Sequence, residues 1–313
     1  MIKIYNTELD TGKFTEVEDI KRGVWINLIN PSESEIERVC TETNIEEDFI
    51  KYPLDYDEQA RIDIEDDMTL FVVDVPIIED IKDDRAYTTM PLGVIIVRDD
   101  FLITVSLKRN KVIDAFEKSK IKSFYTYKKT RFLLQLLFFN ASCFLDSLKR
   151  INKEQEATVL LLQQSMKNRD LIQLLNLQNS LIYITTSLKS NEIVMEKTLR
   201  GKIVKMYEED EDILEDAIIE NKQAIEMSKT YSDILTSTMD AYSSIISNNL
   251  NGVMKFLTSL TILISIPTLI ASIWGMNVKL PFEADQYGFG ILIGISIIVA
   301  TAVFVWLKKK DML

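Results

Sequence analysis

The segment 253-VMKFLTSLTILISIPTLIASIWGMN-277 and the apolar segment 287-YGFGILIGISIIVATAVFVWL-307 together decide the fold of this chain. Residues 253–274 are mostly apolar and carry one charge, Lys255, and the second segment has no charge in 21 residues. At about 1.5 Å per residue, each segment would cross the roughly 30 Å core of a bilayer as a helix. Only twelve residues, 275–286, separate the two spans, so they predict a tight membrane hairpin.

The orientation of this hairpin follows from its basic end. Lys308, Lys309 and Lys310 come directly after the second span. Because loops rich in Lys and Arg stay in the cytoplasm, both chain termini are predicted to be cytoplasmic. The roughly 250 residues before the first span then lie in the cytoplasm, the loop 275–286 faces out, and the protein is a multi-pass protein of the cell (inner) membrane.

Charge indicates what kind of partner this protein has. The 313 residues carry a net charge of −12, with 47% hydrophobic and 27% charged residues. Residues 251–313 contribute five Lys and three acidic residues, so the part before them carries −14. An acidic body argues against nucleic acid, whose binding needs a basic surface. It suits a cation.

The absence of histidine excludes several chemistries. Histidine-based acid–base catalysis, histidine-activated nucleophiles and the usual ligand of zinc, copper and nickel are all missing. The two cysteines, Cys40 and Cys143, lie far apart and fit no metal or redox spacing. A metal would therefore be held by oxygen atoms, which favours Mg²⁺ or Ca²⁺. No nucleophile–base pair or cofactor motif is present, so we predict that the protein is not an enzyme.

Four regions follow one another along the chain. Residues 1–124 are predicted to form a cytoplasmic α/β domain, because strand-like runs (23–29, 60–64, 69–78, 92–97 and 101–106) alternate with helices (33–41 and 110–120). Ser32 and Glu35 match a capping box at the start of the first helix. Residues 125–206 are predicted to form a helical hairpin arm, with helices at 132–164 and 171–199 and with Gly201 as the stop.

The third region is one very long helix. From about Tyr207 there is no strong stop before Gly275, which predicts a helix on the order of 100 Å long. Residues 207–252 would be its cytoplasmic stalk, and the membrane hairpin with its outer loop 275–286 occupies residues 253–313. Gly252 and Pro267 are weak points that need not break the helix. The fold class is thus an α+β membrane protein, whose stalk helix continues into the first of two transmembrane helices.

A polar stripe follows this helix at alternating steps of four and three residues. Its members are Asp240, Ser244, Ser247, Asn251, Met254, Thr258, Thr261, Ser265, Thr268 and Ser272. The spacing of about 3.5 residues keeps them on one line in a left-handed bundle. The hydroxyls could line a pore shared by several copies, or they could bond to their own helix and join helices together. Met254 and nearby Leu257 would form an apolar constriction in a pore.

Gly275-Met276-Asn277, at the outer end of a first span, completes a larger pattern. Pro267 and 270-IASI-273 precede it, a short acidic loop and a second span ending in lysines follow it, and an acidic α/β domain feeds the long helix. This combination resembles the CorA family of magnesium transporters over the whole chain, most closely over residues 240–313. One departure is Trp274, where the family usually has Tyr; the aromatic character is kept.

The resemblance implies a funnel-shaped homopentamer, with five first-span helices around an axial pore and the second spans outside. It implies that Gly275, Met276 and Asn277 form the ion-binding mouth, where a ring of Asn277 amides holds a hydrated cation. It also implies that the pore is lined by Asp240, Asn251, Met254, Leu257, Ser265 and Thr268, to which the stripe adds Thr258, Thr261 and Ser272.

The resemblance further implies regulation by intracellular Mg²⁺, which is then both the transported and the regulatory ion. Asp216 looks like the acidic position where Mg²⁺ bridges neighbouring subunits and favours the closed state, with Glu79 or Asp80 as its partner. Two alternatives stay open. The transported ion could be Co²⁺, Ni²⁺ or Zn²⁺, or the protein could be a non-conducting, membrane-tethered coiled-coil sensor.

Overall fold

The computed structural model describes residues 1–81, 84–97, 100–165, 167–201, 203–276 and 287–310. Its contacts divide the chain into two units, Met1–Ser237 and Thr238–Leu313. The first unit contains all the strands and five complete helices in the described residues. The second contains the two apolar helical segments that the sequence assigns to a membrane hairpin.

One mixed sheet organises the first unit. Its seven strands are β1 (Ile2–Thr7), β2 (Phe14–Val17), β3 (Trp25–Ile29), β4 (Arg61–Glu65), β5 (Met68–Ile81), β6 (Asp84–Val97) and β7 (Phe101–Ser106). They are ordered β2-β1-β3-β7-β6-β5-β4, and β3 with β7 is the one parallel pair among them. The five strands predicted from the sequence are confirmed. Strands β1 and β2 were not predicted from the sequence; β1 pairs with β3, and β2 pairs with β1 at the edge of the sheet.

Helices cover both faces of this sheet. The α-helices of the described residues are α1 (Glu33–Thr43), α2 (Glu47–Lys51), α3 (Lys111–Glu117), α4 (Lys129–Ser165), α5 (Asn168–Gly201), α6 (Glu208–Trp274) and α7 (Gly288–Lys309). Side chains alternate along the strands, so Trp25 packs with α3 and α4 on one face while Ile26 packs with α1 and α2 on the other. The predicted capping box of α1 is confirmed, because Ser32 and Glu35 bond each other's backbone N–H.

Helices α4 and α5 pack directly against the sheet. The Asn140 and Asn191 side-chain amides donate to the Asp74 carbonyl at 2.7 and 2.9 Å, and Asn191 Oδ1 accepts from the Asp74 N–H at 2.8 Å. They thereby satisfy backbone groups of β5 beyond the point where its pairing with β4 ends. The sheet and both helices lie in one unit. The finer division at residues 124, 206 and 252 stays a prediction.

The Asp74 carboxyl provides a test of this packing. Burial raises the pKa of this carboxyl, and a hydrogen bond from Ser187 lowers it by a smaller amount. The pKa of this carboxyl is higher in the folded state than in the unfolded state, so its contribution to stability is complete at pH values below the unfolded-state pKa. This contribution is lost as the pH rises through the folded-state pKa. We therefore expect Asp74→Asn to raise the melting temperature at pH 7 by about 2–4 °C.

The matched control is Asp114→Asn. Burial acts on Asp114 as well, but hydrogen bonds and charge from Lys118 and Arg109 outweigh it and lower the pKa of that carboxyl. This group stabilises the fold above its unfolded pKa, so its amide variant should melt at a lower temperature at pH 7. Thermal unfolding of the purified chain between pH 4 and 8 measures both. A lower melting temperature for Asp74→Asn at pH 7 would contradict the assignment.

Candidate ion-conducting site

Three helices are long and apolar enough to cross a membrane among the described residues: α4, α6 and α7. Two-thirds of the most apolar stretch of α4 is buried within the protein, which makes α4 a core helix of the first unit. The most apolar stretches of α6 and α7 are almost entirely exposed. The long helix predicted from about Tyr207 to Gly275 is confirmed, and neither Gly252 nor Pro267 interrupts it.

Every member of the polar stripe lies on α6 and is exposed, and so is Leu257. The opposite side of the same helix is covered. Ser259 is fully buried there, and four further residues are half-buried: Leu263, Ile266, Ile270 and Trp274. Helix α7 is the other described helix of this unit, and it has half-buried positions that share one side of the helix: Leu292, Ser296, Ala300 and Val303. We conclude that α7 packs on the Ser259 side of α6.

The angle between the two sides of α6 decides what this hairpin can do. At 3.6 residues per turn, the stripe from Met254 to Ser272 is centred about 160° from the side that α7 covers. The stripe therefore points away from its own partner helix. Polar side chains in a membrane require protein or water beside them, and α7 does not lie beside the stripe.

The hydroxyls of the stripe have a defined polarity. Thr261, Ser265 and Thr268 each donate to the carbonyl four residues earlier, at 2.8, 2.7 and 2.9 Å. The predicted bonding of hydroxyls to their own helix is thus present. Since the proton of each hydroxyl is used within the helix, the exposed side of each oxygen presents lone pairs. A line of acceptors suits a cation or the water molecules around it.

The C-terminal end of α6 carries part of the predicted mouth. The helix ends at Trp274, Gly275 N–H donates to Ala271 O at 3.0 Å, and Met276 is exposed. The Gly275 backbone does not have a positive φ, and an added Cβ would meet only ordinary contacts, so the helix end itself does not require glycine. Asn277 lies outside the described residues.

The regulatory candidates lie in the first unit. Asp216 is exposed on α6 and lines a cavity of about 410 Å³ whose walls are mostly apolar, with Lys120 and Lys122 also at its lining. Glu79, on β5, forms an ion pair with Lys108. Asp80 follows on the same strand, and its side chain is not among those that the structure describes. In the described residues, no three acidic, His or Cys side chains of one chain are grouped to hold a metal.

The burial of Ser259 was not predicted from the sequence. This residue carries a hydroxyl within the first span but off the stripe, and it is fully buried on the α7 side. The small residues Ser296 and Ala300 of α7 are the available signal, because small side chains let two membrane helices approach closely.

Comparison with known proteins supports one family. The family model described as "CorA-like Mg2+ transporter protein" matches residues 21–309. The chain belongs to this family. Members of the CorA-like family are transporters or channels and not enzymes, which confirms the prediction that this chain is not an enzyme.

Relatives of the CorA-like family match nearly the whole chain. The "Cobalt/magnesium transport protein CorA" of Methanocaldococcus jannaschii is 26% identical over 300 residues, which cover 93% of this chain and 91% of the relative. The "Magnesium transport protein CorA" of Yersinia pseudotuberculosis is 22% identical over 326 residues, covering 99% and 98%. The solved CorA magnesium transporter from M. jannaschii matches with a TM-score of 0.84 at 23% identity, covering 97% and 96% of the two chains. This structural likeness confirms the fold.

Proposed function

We propose that this chain transports divalent cations, chiefly Mg²⁺ into the cell, through a channel-like axial pore. The observation that carries the proposal is the position of the polar stripe on the side of α6 away from α7. One copy has two spans and cannot enclose a conduit. Five copies arranged as a funnel-shaped ring would place the stripes around the axis and the α7 helices outside. The names of the matched relatives, which are cobalt and magnesium transport proteins, support the same proposal.

Selection would take place at the outer mouth. Mg²⁺ gives up its water reluctantly, so a ring of neutral Asn277 amides can recognise the ion by its hydration shell. Neutral oxygens also bind weakly enough to release the ion. Gly275 and Met276 would support this ring, and Met254 with Leu257 would form an apolar constriction at the cytoplasmic end that closes by expelling water.

Regulation would take place between subunits. Asp216 is exposed and belongs to no group of three acidic, His or Cys side chains in the described part of its own chain, so we place the remaining oxygens of a site there on a neighbour. Glu79 or Asp80 of that neighbour would supply them, with Lys108 competing for Glu79. Intracellular Mg²⁺ would then screen the acidic interfaces and favour the closed state. When the ion is scarce, repulsion between like charges would loosen the ring.

The membrane potential is sufficient to drive influx. Two charges moving inward at 100 mV gain about 4.6 kcal/mol, from roughly 2.3 kcal/mol per charge. The lysines after the second span orient the pore with both termini in the cytoplasm of a multi-pass inner-membrane protein.

Uptake by the purified protein in liposomes tests this function. With an inside-negative potential, we expect uptake of Mg²⁺ that exceeds the uptake of protein-free vesicles and that falls when Mg²⁺ is enclosed on the cytoplasmic face. Parallel vesicles with Co²⁺, Ni²⁺ and Zn²⁺ rank the ions, and the name of the M. jannaschii relative gives Co²⁺ particular interest. Faster uptake of another ion than of Mg²⁺ would replace the ion assignment. Absence of uptake for all four would favour the non-conducting sensor.

A further inference from the structure

Helices α5 and α6 meet along a line of side-chain hydrogen bonds, which we call the polar seam. Gln178 Nε2 donates to Thr236 Oγ1 at 3.3 Å. The Thr185 and Ser228 hydroxyl oxygens lie 2.7 Å apart. Asn221 Nδ2 donates to Leu188 O at 2.9 Å. The contacts recur every three to seven residues on α5 and every seven or eight on α6, so they form one antiparallel row within the first unit.

This row accounts for a break in an otherwise apolar pattern. Leu174, Leu181 and Leu188 repeat every seven residues along α5, and Gln178 and Thr185 interrupt them. The three leucines are fully buried, and Ala224 and Leu235 of α6 are fully buried as well. An uninterrupted apolar seam was therefore available to this pair of helices.

The polar groups are costly at this position. Asn221 and Ser228 are fully buried, and Asn221 Oδ1 has no hydrogen-bond partner within the part of the chain that the structure describes. The Thr185 and Ser228 hydroxyls both lie within hydrogen-bond distance of Leu181 O, at 2.6 and 3.3 Å, and either one can be the donor in the bond between them. A buried acceptor without a partner destabilises the fold, and an apolar residue of similar size would avoid that cost.

Polar groups at this interface favour one axial alignment of α5 and α6. A leucine on one helix can face the neighbouring turn of the other helix nearly as well as its present partner. Displaced by one turn, Thr185 would face Ala224 in one direction and Ser232 in the other, so the row of three contacts as a whole would be lost. We propose that the polar seam is a register lock, which fixes the axial position of α6 against α5 and excludes packings displaced by one helical turn. This role goes beyond transport and does not depend on the proposed function.

Disulfide trapping in the full-length chain tests the lock. In a background with Cys40→Ala and Cys143→Ala, the pair Thr185→Cys/Ser228→Cys reports the observed register, because the two hydroxyls are in contact and bring their Cβ atoms close. Two other pairs report registers displaced by one turn, Thr185→Cys/Ala224→Cys and Thr185→Cys/Ser232→Cys. Mild oxidation followed by mass spectrometry of the linked peptides counts intramolecular bonds of each kind.

With the rest of the seam intact, we expect disulfides almost only at the observed register. Gln178→Leu, Asn221→Leu and Thr236→Val make the rest of the seam apolar. In that background, the ratio of displaced to observed disulfides should rise about tenfold, the change expected when a preference of one hydrogen bond is lost. If the apolar seam leaves the ratio unchanged, the lock does not exist.

A matched control removes two hydroxyls from the same helices without touching the seam. Thr186 and Thr230 are exposed, and each donates to the carbonyl four residues earlier in its own helix. Thr186→Val with Thr230→Val should leave the ratio as in the parent. If the triple variant fails to fold, Asn221→Leu alone serves as the test; it should raise the displaced fraction, and it should raise the melting temperature. A lower melting temperature for this variant would contradict the cost assigned to Asn221.

Discussion

We expect the initial rate of Mg²⁺ uptake to fall about 10–100-fold when Asn277 is replaced by alanine. In the proposed ring, five amides contact the water shell of one ion, so the substitution removes all five of these contacts at once. Alanine leaves the ion no side-chain oxygen to contact its hydration shell at the mouth. The measurement is the initial rate of Mg²⁺ uptake in liposomes that contain equal amounts of folded protein.

The control for this variant is Asn248→Ala. Asn248 is an exposed amide on α6, and it lies off the polar stripe. Its loss should change the uptake rate by less than about twofold, because it would face away from the proposed axis. Equal rates for the parent and Asn277→Ala, with the protein intact, would remove Asn277 from the selectivity mechanism.

The second large effect should come from the membrane part of the stripe. The triple variant Thr261→Val, Ser265→Ala and Thr268→Val nearly keeps the size of the side chains and removes three hydroxyls per chain, or fifteen from a pentamer. A conduit without these acceptors should resist wetting, so we expect uptake to fall at least about tenfold while the melting temperature changes little. Helix packing should survive, because all three side chains are exposed and lie opposite the α7 side.

Thr301→Val is the matched control for the triple variant. Thr301 is an exposed threonine of α7, and its hydroxyl donates to Ile297 O at 2.7 Å, as the stripe hydroxyls do in α6. The outer position proposed for α7 predicts normal uptake for this variant. If Thr301→Val were as damaging as the stripe variant, the assignment of the two helices to the inside and outside of the ring would be wrong.

Features set by nearby residues were predictable from the sequence. The capping box of Ser32 and Glu35 lies within one turn, and the start of α1 was predicted correctly. The stripe follows from the period of a single helix, so the amino-acid sequence alone predicts its position on one side of α6. Features that join distant residues were not predictable in this way. Strand β1 is specified by register with β3, and Asn191 meets Asp74 across 117 positions.

The same distinction separates the two halves of the candidate site. The proposed mouth and the stripe belong to one continuous stretch of sequence, whereas the partner proposed for Asp216 belongs to a remote part of the chain. Sequence spacing carries no information about that meeting. The ion pair of Glu79 with Lys108 is a further example, since a charged residue 29 positions away neutralises one of the two candidates.

The hydroxyl protons of Thr261, Ser265 and Thr268 are donated to backbone carbonyls of α6, and this has one more consequence. A chloride or phosphate ion needs N–H or O–H groups to replace its hydration, and these three hydroxyls have none to offer. Such a lining would reject anions by the direction of its dipoles, without a fixed negative charge. Nothing in that mechanism titrates, so discrimination between cations and anions along this part of the conduit should be the same in acidic and in alkaline surroundings.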